Sequence, residues 1–163
     1  MSEDYYDTAQ VCLNGHSIND MARLYPEHNK KFCSKCGAQT ITECQSCKAS
    51  IKGYYHCSVA VIGFEYVPPK FCDNCGKPYP WTESKLKAAQ ELADEAENLT
   101  PAERDILKQS LDDLIRDTPN TQVAALRFKK LAAKAGDVIL GGLRDIMVDV
   151  ASETAKKILF PER

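Results

Sequence analysis

Apolar residues in the second half of the chain recur at the spacing of an amphipathic helix, and turn residues divide them into four segments. Thr82 is positioned to cap a first helix that ends near Asn98. The sequence Thr100-Pro101-Ala102-Glu103 is a capping box with proline at the first helical position, so a second helix should follow it to about Arg116. Its apolar side consists of Ile106, Leu107, Leu111, Leu114 and Ile115.

Thr118-Pro119-Asn120 interrupts the helical pattern, and a third helix is predicted from about Asn120 to Ala135. Gly136 ends it, and Asp137 can cap a fourth helix that reaches about Phe160. The apolar stripe of this last helix contains Ile139, Leu143, Ile146, Met147, Val150 and Ile158. Four amphipathic helices with short connections predict a small antiparallel bundle or two helical hairpins, with the stripes as the core.

The first half has no such helical pattern and is expected to contain short strands and tight turns. The clearest strand is predicted at 59–67 (VAVIGFEYV), which Gly63 interrupts and two prolines end. The composition changes near Trp81: every cysteine, histidine and tyrosine precedes it, whereas Ala, Leu, Lys and Glu dominate after it. We therefore predict one domain over residues 1–81 and a C-terminal helical domain over residues 82–163.

The charge and the apolar runs exclude several classes of protein. The 163 residues carry 21 Lys and Arg against 23 Asp and Glu, a net charge of -2. Such a chain has no overall attraction to nucleic acid or to anionic lipid. The N-terminal segment is polar and unlike a signal peptide, and no run approaches the ~20 apolar residues of a membrane span. A cytoplasmic location with reduced cysteines is expected.

The cysteines have the spacing of metal ligands. All eight lie from Cys12 to Cys75, and seven of them, with one histidine, make four ordered pairs: Cys12/His16, Cys33/Cys36, Cys44/Cys47 and Cys72/Cys75. Two ligands three or four residues apart on a tight turn, a zinc knuckle, can point at one ion, and a second knuckle completes the tetrahedron. Asn14-Gly15 supplies turn residues just before His16. The sequence predicts two Zn²⁺ ions per chain.

An internal repeat favours one way of joining the four knuckles. KFCSKCG at 31–37 recurs as KFCDNCG at 70–76, each in the form of the second knuckle of a zinc ribbon. The glycine after the last cysteine permits a bend that a side chain would obstruct. One site is therefore predicted from Cys12, His16, Cys33 and Cys36, and the other from Cys44, Cys47, Cys72 and Cys75. The predicted fold class is a small metal-bound α+β protein, with two tandem zinc ribbons of short antiparallel strands before an all-α region of about four helices.

Two other pairings remain open at this point. A cross-brace joins the first knuckle to the third and the second to the fourth, which would give a RING-like fold and a role as a ligase component. The other pairing places Cys33, Cys36, Cys44 and Cys47 on one ion. His28, His56 and Cys57 are left over, and since structural zinc sites close at four ligands, we place them in strand, loop or surface positions.

Five segments of the chain are shared with a known family. They are CLNGH at 12–16, FCSKCG at 32–37, CQSC at 44–47 followed by IKG at 51–53, FCDNCGKPYPWT at 71–82, and VDVASETAKK at 148–157. On these residues the chain resembles a family of uncharacterised bacterial tandem zinc-ribbon proteins with a C-terminal helical region. The resemblance covers nearly the whole chain and all eight ligand positions. It implies that fold and a bacterial cytosolic setting, and it implies no activity.

The function that the sequence favours is a non-enzymatic interaction or assembly module. The zinc ribbons would be rigid platforms, and the helices a docking or self-association arm. Near-neutral charge and a set of aromatics on a small domain favour it: Tyr54, Tyr55, Phe64, Tyr66, Tyr79 and Trp81. A protein partner or a second copy of the chain is expected, with no membrane and no small-molecule substrate.

Nucleic-acid binding is the alternative, and an enzyme is not expected. Seven lysines surround the knuckles: Lys30, Lys31, Lys35, Lys48, Lys52, Lys70 and Lys77. Arginine, which reads guanine and binds phosphate through two bonds, is nearly absent there, since only Arg23 precedes residue 104. A catalytic zinc needs an open position and a nearby acid or base, and the sequence lacks HExxH, the deaminase motif, a phosphate loop and a nucleophile elbow.

Overall fold

A computed structural model describes residues 3–59 and 62–161. Within them the protein is α+β: short antiparallel strands and turns come first, and all five α-helices begin at or after Pro80. The predicted fold class is confirmed. The chain divides into two compact units, the first ending at Glu83 and the second beginning at Ser84. Among the described helices, none has the length and apolar character that crossing a membrane requires.

The strands of the first unit form two small antiparallel sheets. β1 (Tyr5–Thr8) pairs with β5 (Lys52–His56). In the other sheet, β2 (Gln10–Cys12) lies between β3 (Ser17–Asn19) and β4 (Thr40–Ile41). Because β2 ends on Cys12, the second sheet leads directly into the first ligand pair.

The hydrophobic core of the first unit is small and includes ligand cysteines. Val11 and Ile51 are fully buried, and Cys44 and Cys72 belong to the same cluster. A core of this size supplies little apolar area, and small domains usually need a metal or disulfides in addition.

Trp81 completes this core. Its ring stacks on Tyr79 with 4.7 Å between centroids, and both residues are almost fully buried. The indole N–H donates to the Pro69 carbonyl at 2.9 Å, so the polar atom of the ring is satisfied. Two of the aromatics that the sequence offered for an interaction surface are therefore core residues.

The prediction of a strand at 59–67 is wrong for the residues that the structure describes. Val59 lies in a bend, 62–67 forms a turn followed by irregular backbone, and 60–61 lie outside the described residues. Gly63 has a φ of +81°, which is not an extended conformation. The strand that does form nearby is β5, because β1 supplies its hydrogen-bonding partner.

The helices occupy most of the second half. They are α1 (Pro80–Asp94), α2 (Pro101–Leu114), α3 (Thr121–Lys134), α4 (Asp137–Val150) and α5 (Glu153–Leu159). The predicted capping box is confirmed: the Glu103 N–H donates to the Thr100 hydroxyl at 3.2 Å, and the Thr100 N–H donates to the Glu103 carboxylate at 2.9 Å. Local capping chemistry therefore located α2 correctly.

Two predicted caps are wrong. α1 begins at Pro80, before Thr82, and the buried Thr82 hydroxyl donates to the Lys70 carbonyl at 2.8 Å. Proline is well suited to the first helical position, since its missing N–H has no helical partner there. α4 has Gly136 at its N-cap and no side-chain cap bond, so Asp137 is its first helical residue.

The single final helix predicted to Phe160 is also wrong. Ala151 and Ser152 adopt extended backbone between α4 and α5. The Ser152 hydroxyl accepts from the Ala155 N–H at 3.2 Å, while the Ser152 N–H donates to the Leu114 carbonyl at 2.8 Å. The bond to Leu114 gives the backbone N–H of Ser152, the N-cap residue, a hydrogen-bond acceptor. The helix that follows, α5, packs against α3.

The apolar stripes of the second unit form its core, as expected for amphipathic helices. α2 and α3 pack against each other, and α4 also contacts α3. The largest fully buried side chains of this unit include Leu107, Leu111, Leu114, Leu143, Met147 and Val150. Of the predicted α2 face, Ile106 is 46% exposed and does not belong to the core.

We expect Ser152→Ala to lower the free energy of unfolding of the helical unit by about 1 kcal/mol, because it removes the side-chain cap of α5. Urea unfolding followed by circular dichroism at 222 nm measures the change. Ser84→Ala is the matched control, since Ser84 lies exposed within α1 and alanine favours helices. An equal effect of the two substitutions would contradict the capping role.

Candidate metal centres

The structure brings all eight predicted ligand residues together in two groups. The first contains Cys12, His16, Cys33 and Cys36, and the second Cys44, Cys47, Cys72 and Cys75. Within each group all four ligand atoms lie within 4.8 Å of one another. This is the tandem pairing. The cross-brace and the pairing of the second knuckle with the third do not match the observed geometry.

The first group is built from the end of β2 and the turn after it, together with the second knuckle. His16 Nδ1 lies 3.4 Å from Cys12 Sγ and 3.6 Å from Cys33 Sγ. The sulfurs of Cys12 and Cys36 are 3.8 Å apart. Nδ1 is therefore the imidazole atom that faces the sulfurs, and it can act as the fourth ligand atom.

The second group contains four thiols from the third and fourth knuckles. Cys44 Sγ lies 3.8 Å from Cys75 Sγ, and Cys47 Sγ lies 3.7 Å from Cys72 Sγ. Both close contacts join one knuckle to the other. The two knuckles can therefore share a single ion.

Three of the knuckles have the same turn, which the sequence repeat showed for only two. In the second knuckle the Cys33 N–H donates to the Ala38 carbonyl and the Gly37 N–H donates to the Cys33 carbonyl, both at 2.8 Å. The third knuckle has the equivalent bonds, although its sequence ECQSCKAS lacks the glycine. Each turn is also closed by a bridge between the residues that flank it: Phe32 with Gln39, Glu43 with Ser50, and Phe71 with Pro78.

The glycine after the second cysteine is required by backbone angle and not by space. Gly37 and Gly76 both have a φ of +73°, and nothing lies within 4 Å of the position that a Cβ would occupy. Lys48 takes the corresponding place in the third knuckle with a φ of 64°. A lysine there carries the backbone strain that glycine avoids, of about 1 kcal/mol.

The sulfurs of each knuckle differ in burial. The first cysteine of every knuckle is buried: Cys12, Cys33, Cys44 and Cys72 are 0%, 3%, 3% and 1% exposed. The second ligands are more exposed, and Cys36 and Cys75 are both open to solvent. Burial raises the pKa of the Cys12 thiol. Burial disfavours the charged thiolate, and hydrogen-bond donors favour it at buried and exposed positions alike.

Such donors are present at both centres, and the sequence did not identify them. The Ala38 N–H and then the Asn14 amide lower the pKa of Cys36 to about 6. The Asn74 amide, followed by the Ala49 N–H, lowers the pKa of Cys47 to about 6. The sequence marks Asn14 only as a turn residue, and no periodicity or ligand spacing points to Asn74.

His28, His56 and Cys57, which were not predicted as ligands, lie outside both groups. His56 stacks on Tyr5 with 4.6 Å between ring centroids, and its Nε2 lies 3.5 Å from the buried Asp7 carboxylate without forming a hydrogen bond. The Cys57 thiol donates to the Val59 carbonyl at 3.1 Å. His28 stacks on Tyr25.

The fold and the two centres define a small α+β protein with paired Cys/His knuckles before a helical region. Residues 5–159 match a family described as an uncharacterized protein conserved in bacteria, DUF2321. The chain belongs to this family, which confirms the resemblance that the motifs carried. Neither the curated proteins nor the solved structures contain a match to it.

We expect Lys48→Gly to raise the free energy of unfolding of the metal-loaded first unit by about 1 kcal/mol, because it relieves left-handed backbone strain. Gly76→Lys should lower it by a similar amount. Guanidinium unfolding followed by Trp81 fluorescence reports on this unit, since Trp81 is the only tryptophan and lies in its core. Lys35→Gly is the control, because Lys35 is not among the residues of positive φ. Stabilisation by Lys35→Gly equal to that by Lys48→Gly would contradict the strain.

Proposed function

We propose that each centre holds one structural zinc ion. A tetrahedron with metal–sulfur bonds of about 2.3 Å has edges of about 3.8 Å, as simple trigonometry requires. The sulfur–sulfur contacts of 3.7 and 3.8 Å match these edges. Thiolate-rich tetrahedral sets favour zinc among the common divalent ions. When bound, the ion would offset part of the negative charge of the thiolates and crosslink the two knuckles of its centre.

The purified chain should contain two zinc ions, and their removal should unfold the first unit while the helical unit stays folded. The reason is that ligands join segments whose own apolar core is small. Elemental analysis gives the zinc content, and hydrogen exchange before and after chelation shows which amides lose protection. A zinc content of one or less, or protection that survives chelation in the first unit, would contradict the proposal.

We infer further that the protein is a non-enzymatic interaction or assembly module of the cytoplasm. The observation that carries this proposal is a set of exposed apolar side chains on the β1–β5 pair and the segment after β5. They are here called the apolar surface, which covers both faces of the pair because consecutive strand residues point to opposite sides: Tyr5, Tyr6, Tyr55, Val59, Ile62, Phe64 and Val67. Their exposed fractions range from 40% for Tyr55 to 96% for Ile62. Large exposed apolar groups on so small a unit are typical of binding surfaces.

The aromatic members of the apolar surface are ordered by contacts. The Tyr6 and Tyr55 rings lie 4.7 Å apart across the β1–β5 pair, and the Phe64 ring meets Tyr54 edge to face at 5.9 Å. Rigid aromatics lose little entropy on binding and often contribute most to affinity. Tyr66 is not available in the same way, because its hydroxyl donates to the Lys52 carbonyl at 2.6 Å.

The closed ligand sets support a structural and not a catalytic role. Four protein ligands complete a tetrahedron and leave no position for substrate or water, which a catalytic zinc keeps open. A second copy of the chain is the other partner to consider, through the helices, where Leu126 and Val138 are 66% and 86% exposed. The break at Ser152 shortens the final helix, so the apolar surface of the first unit is the better-supported contact.

Nucleic acid is the alternative partner, and one contact favours it. Phe32 is 55% exposed, and Lys31 Nζ lies 5.8 Å from its ring centroid, as in sites where a base stacks beside a cation. Lys52, however, forms an ion pair with Asp73 at 2.5 Å, and a phosphate would have to compete with that carboxylate. The basic face predicted from the seven lysines is therefore reduced.

The tagged chain is expressed at its native level in a bacterium that encodes a member of this family, and is then purified with whatever binds it. We expect the double variant Tyr55→Ser, Phe64→Ser to lose the stoichiometric protein partner that the wild type recovers. The wild-type complex should survive nuclease. Leu126→Ser, which alters an apolar side chain of the helical unit that is more exposed than either, is the control and should leave recovery unchanged. Partners that vanish with nuclease, or that the double variant retains, would contradict the proposed surface.

A further inference from the structure

Each metal centre has one asparagine side chain that reaches from one knuckle to a sulfur of the other. Asn14, between Cys12 and His16, donates from Nδ2 to Cys36 Sγ at 3.3 Å. Asn74, between Cys72 and Cys75, donates from Nδ2 to Cys47 Sγ at 3.4 Å. These distances fit N–H···S hydrogen bonds, which are longer than those to oxygen because sulfur is the larger atom.

The two contacts are not copies of each other. Asn14 lies in the first knuckle of its centre and Asn74 in the second knuckle of the other, and the residue equivalent to Asn74 in the KFCSKCG repeat is Lys35. The same bond therefore occurs twice from different places in the turn. A feature that arises twice by different routes indicates a requirement of the site and not an accident of the repeat.

In both centres the asparagine bond goes to the second cysteine of a knuckle, which is less buried than the first. Buried Cys12 and Cys33 accept backbone N–H groups, from His16 at 3.3 Å and from Lys35 at 3.4 Å. Cys36 is exposed and Cys47 is partly exposed; Cys75 is also exposed, and it lies in the same knuckle as Asn74. A thiolate open to water is the ligand that a competing chelator or nucleophile reaches first.

We infer that Asn14 and Asn74 are positioning residues that keep the metal in its site by holding one thiolate of the facing knuckle, Cys36 and Cys47 respectively, in ligand geometry. Each amide stabilises the charged sulfur by a charge-assisted bond and ties the two knuckles together beside the ion. Hydrogen bonds from outside the ligand set commonly change metal affinity by about 10- to 100-fold. This inference rests on the proposed function, since it requires that the centres hold zinc.

A simple turn-forming role makes a different prediction, and aspartate separates the two. Aspartate favours the same turns as asparagine and has nearly the same shape, but its carboxylate cannot donate to sulfur. If the asparagines only shape the turns, Asn14→Asp and Asn74→Asp should be nearly neutral. If they hold the thiolates, both should speed metal loss from their own centre alone.

The test follows the transfer of Zn²⁺ from the loaded full-length chain to a chromophoric chelator. We expect Asn74→Asp to speed release from the Cys44 centre about tenfold or more, and Asn14→Asp to act in the same way on the centre that contains His16. Loading with ¹¹³Cd assigns the affected centre by NMR, because a site of four thiolates and a site of three thiolates with one imidazole give separate signals. Asn74→Ala removes the donor without adding charge and should act in the same direction.

Gln45→Asp is the matched control for charge, because it adds a carboxylate to the third knuckle at a position that gives no hydrogen bond to sulfur within the described part of the chain. Release rates of the asparagine variants within about twofold of that control would overturn the inference, and so would equal loss from both centres, which marks a folding defect. A wild-type chain that binds no zinc would defeat the proposed function itself. A wild-type chain with two ions, together with unaffected variants, would defeat this inference alone.

Discussion

The first unit depends on one constraint: four ligand atoms must share a space of less than 5 Å at each of two places. Thiols this close cannot all ionise without a cation between them, since like charges raise each other's pKa. Because Cys44 and Cys72 also belong to the hydrophobic core, the same side chains that would bind an ion fill the space around Ile51. We therefore expect metal binding and folding of this unit to be one process.

The features predicted correctly from the sequence are those that short segments determine. Ligand spacing within a knuckle and the capping box at Thr100 need only a few neighbouring residues, and the KFCxxCG repeat was enough to choose the tandem pairing. The errors involve distant partners. Ser152 begins a new helix partly because the Leu114 carbonyl accepts its N–H, and β5 forms in place of the predicted strand because β1 lies beside it.

The aromatic residues show the same limit. Trp81 and Tyr55 are equally suited to an interface by residue type, yet Trp81 stacks in the core on Tyr79 whereas Tyr55 remains 40% exposed. Composition cannot separate them, because burial depends on where each residue lies in the fold: Tyr55 is on β5, and Trp81 is in the first turn of α1, where it joins the core. Lys48 is a second example: its left-handed backbone shows that the third knuckle has the same turn as the repeat, although its sequence lacks the glycine.

The metal centre and the apolar surface are physically joined. Asp73 lies between Cys72 and Cys75, and its carboxylate pairs with Lys52 of β5 at 2.5 Å. Lys52 Nζ in turn lies 4.7 Å from the centroid of the Tyr6 ring, which packs against Tyr55. An ion in the Cys44 centre would fix the fourth knuckle, and through Asp73 and Lys52 it would limit the motion of the aromatic pair. Zinc would then order the surface that we propose for binding, although no ligand belongs to that surface.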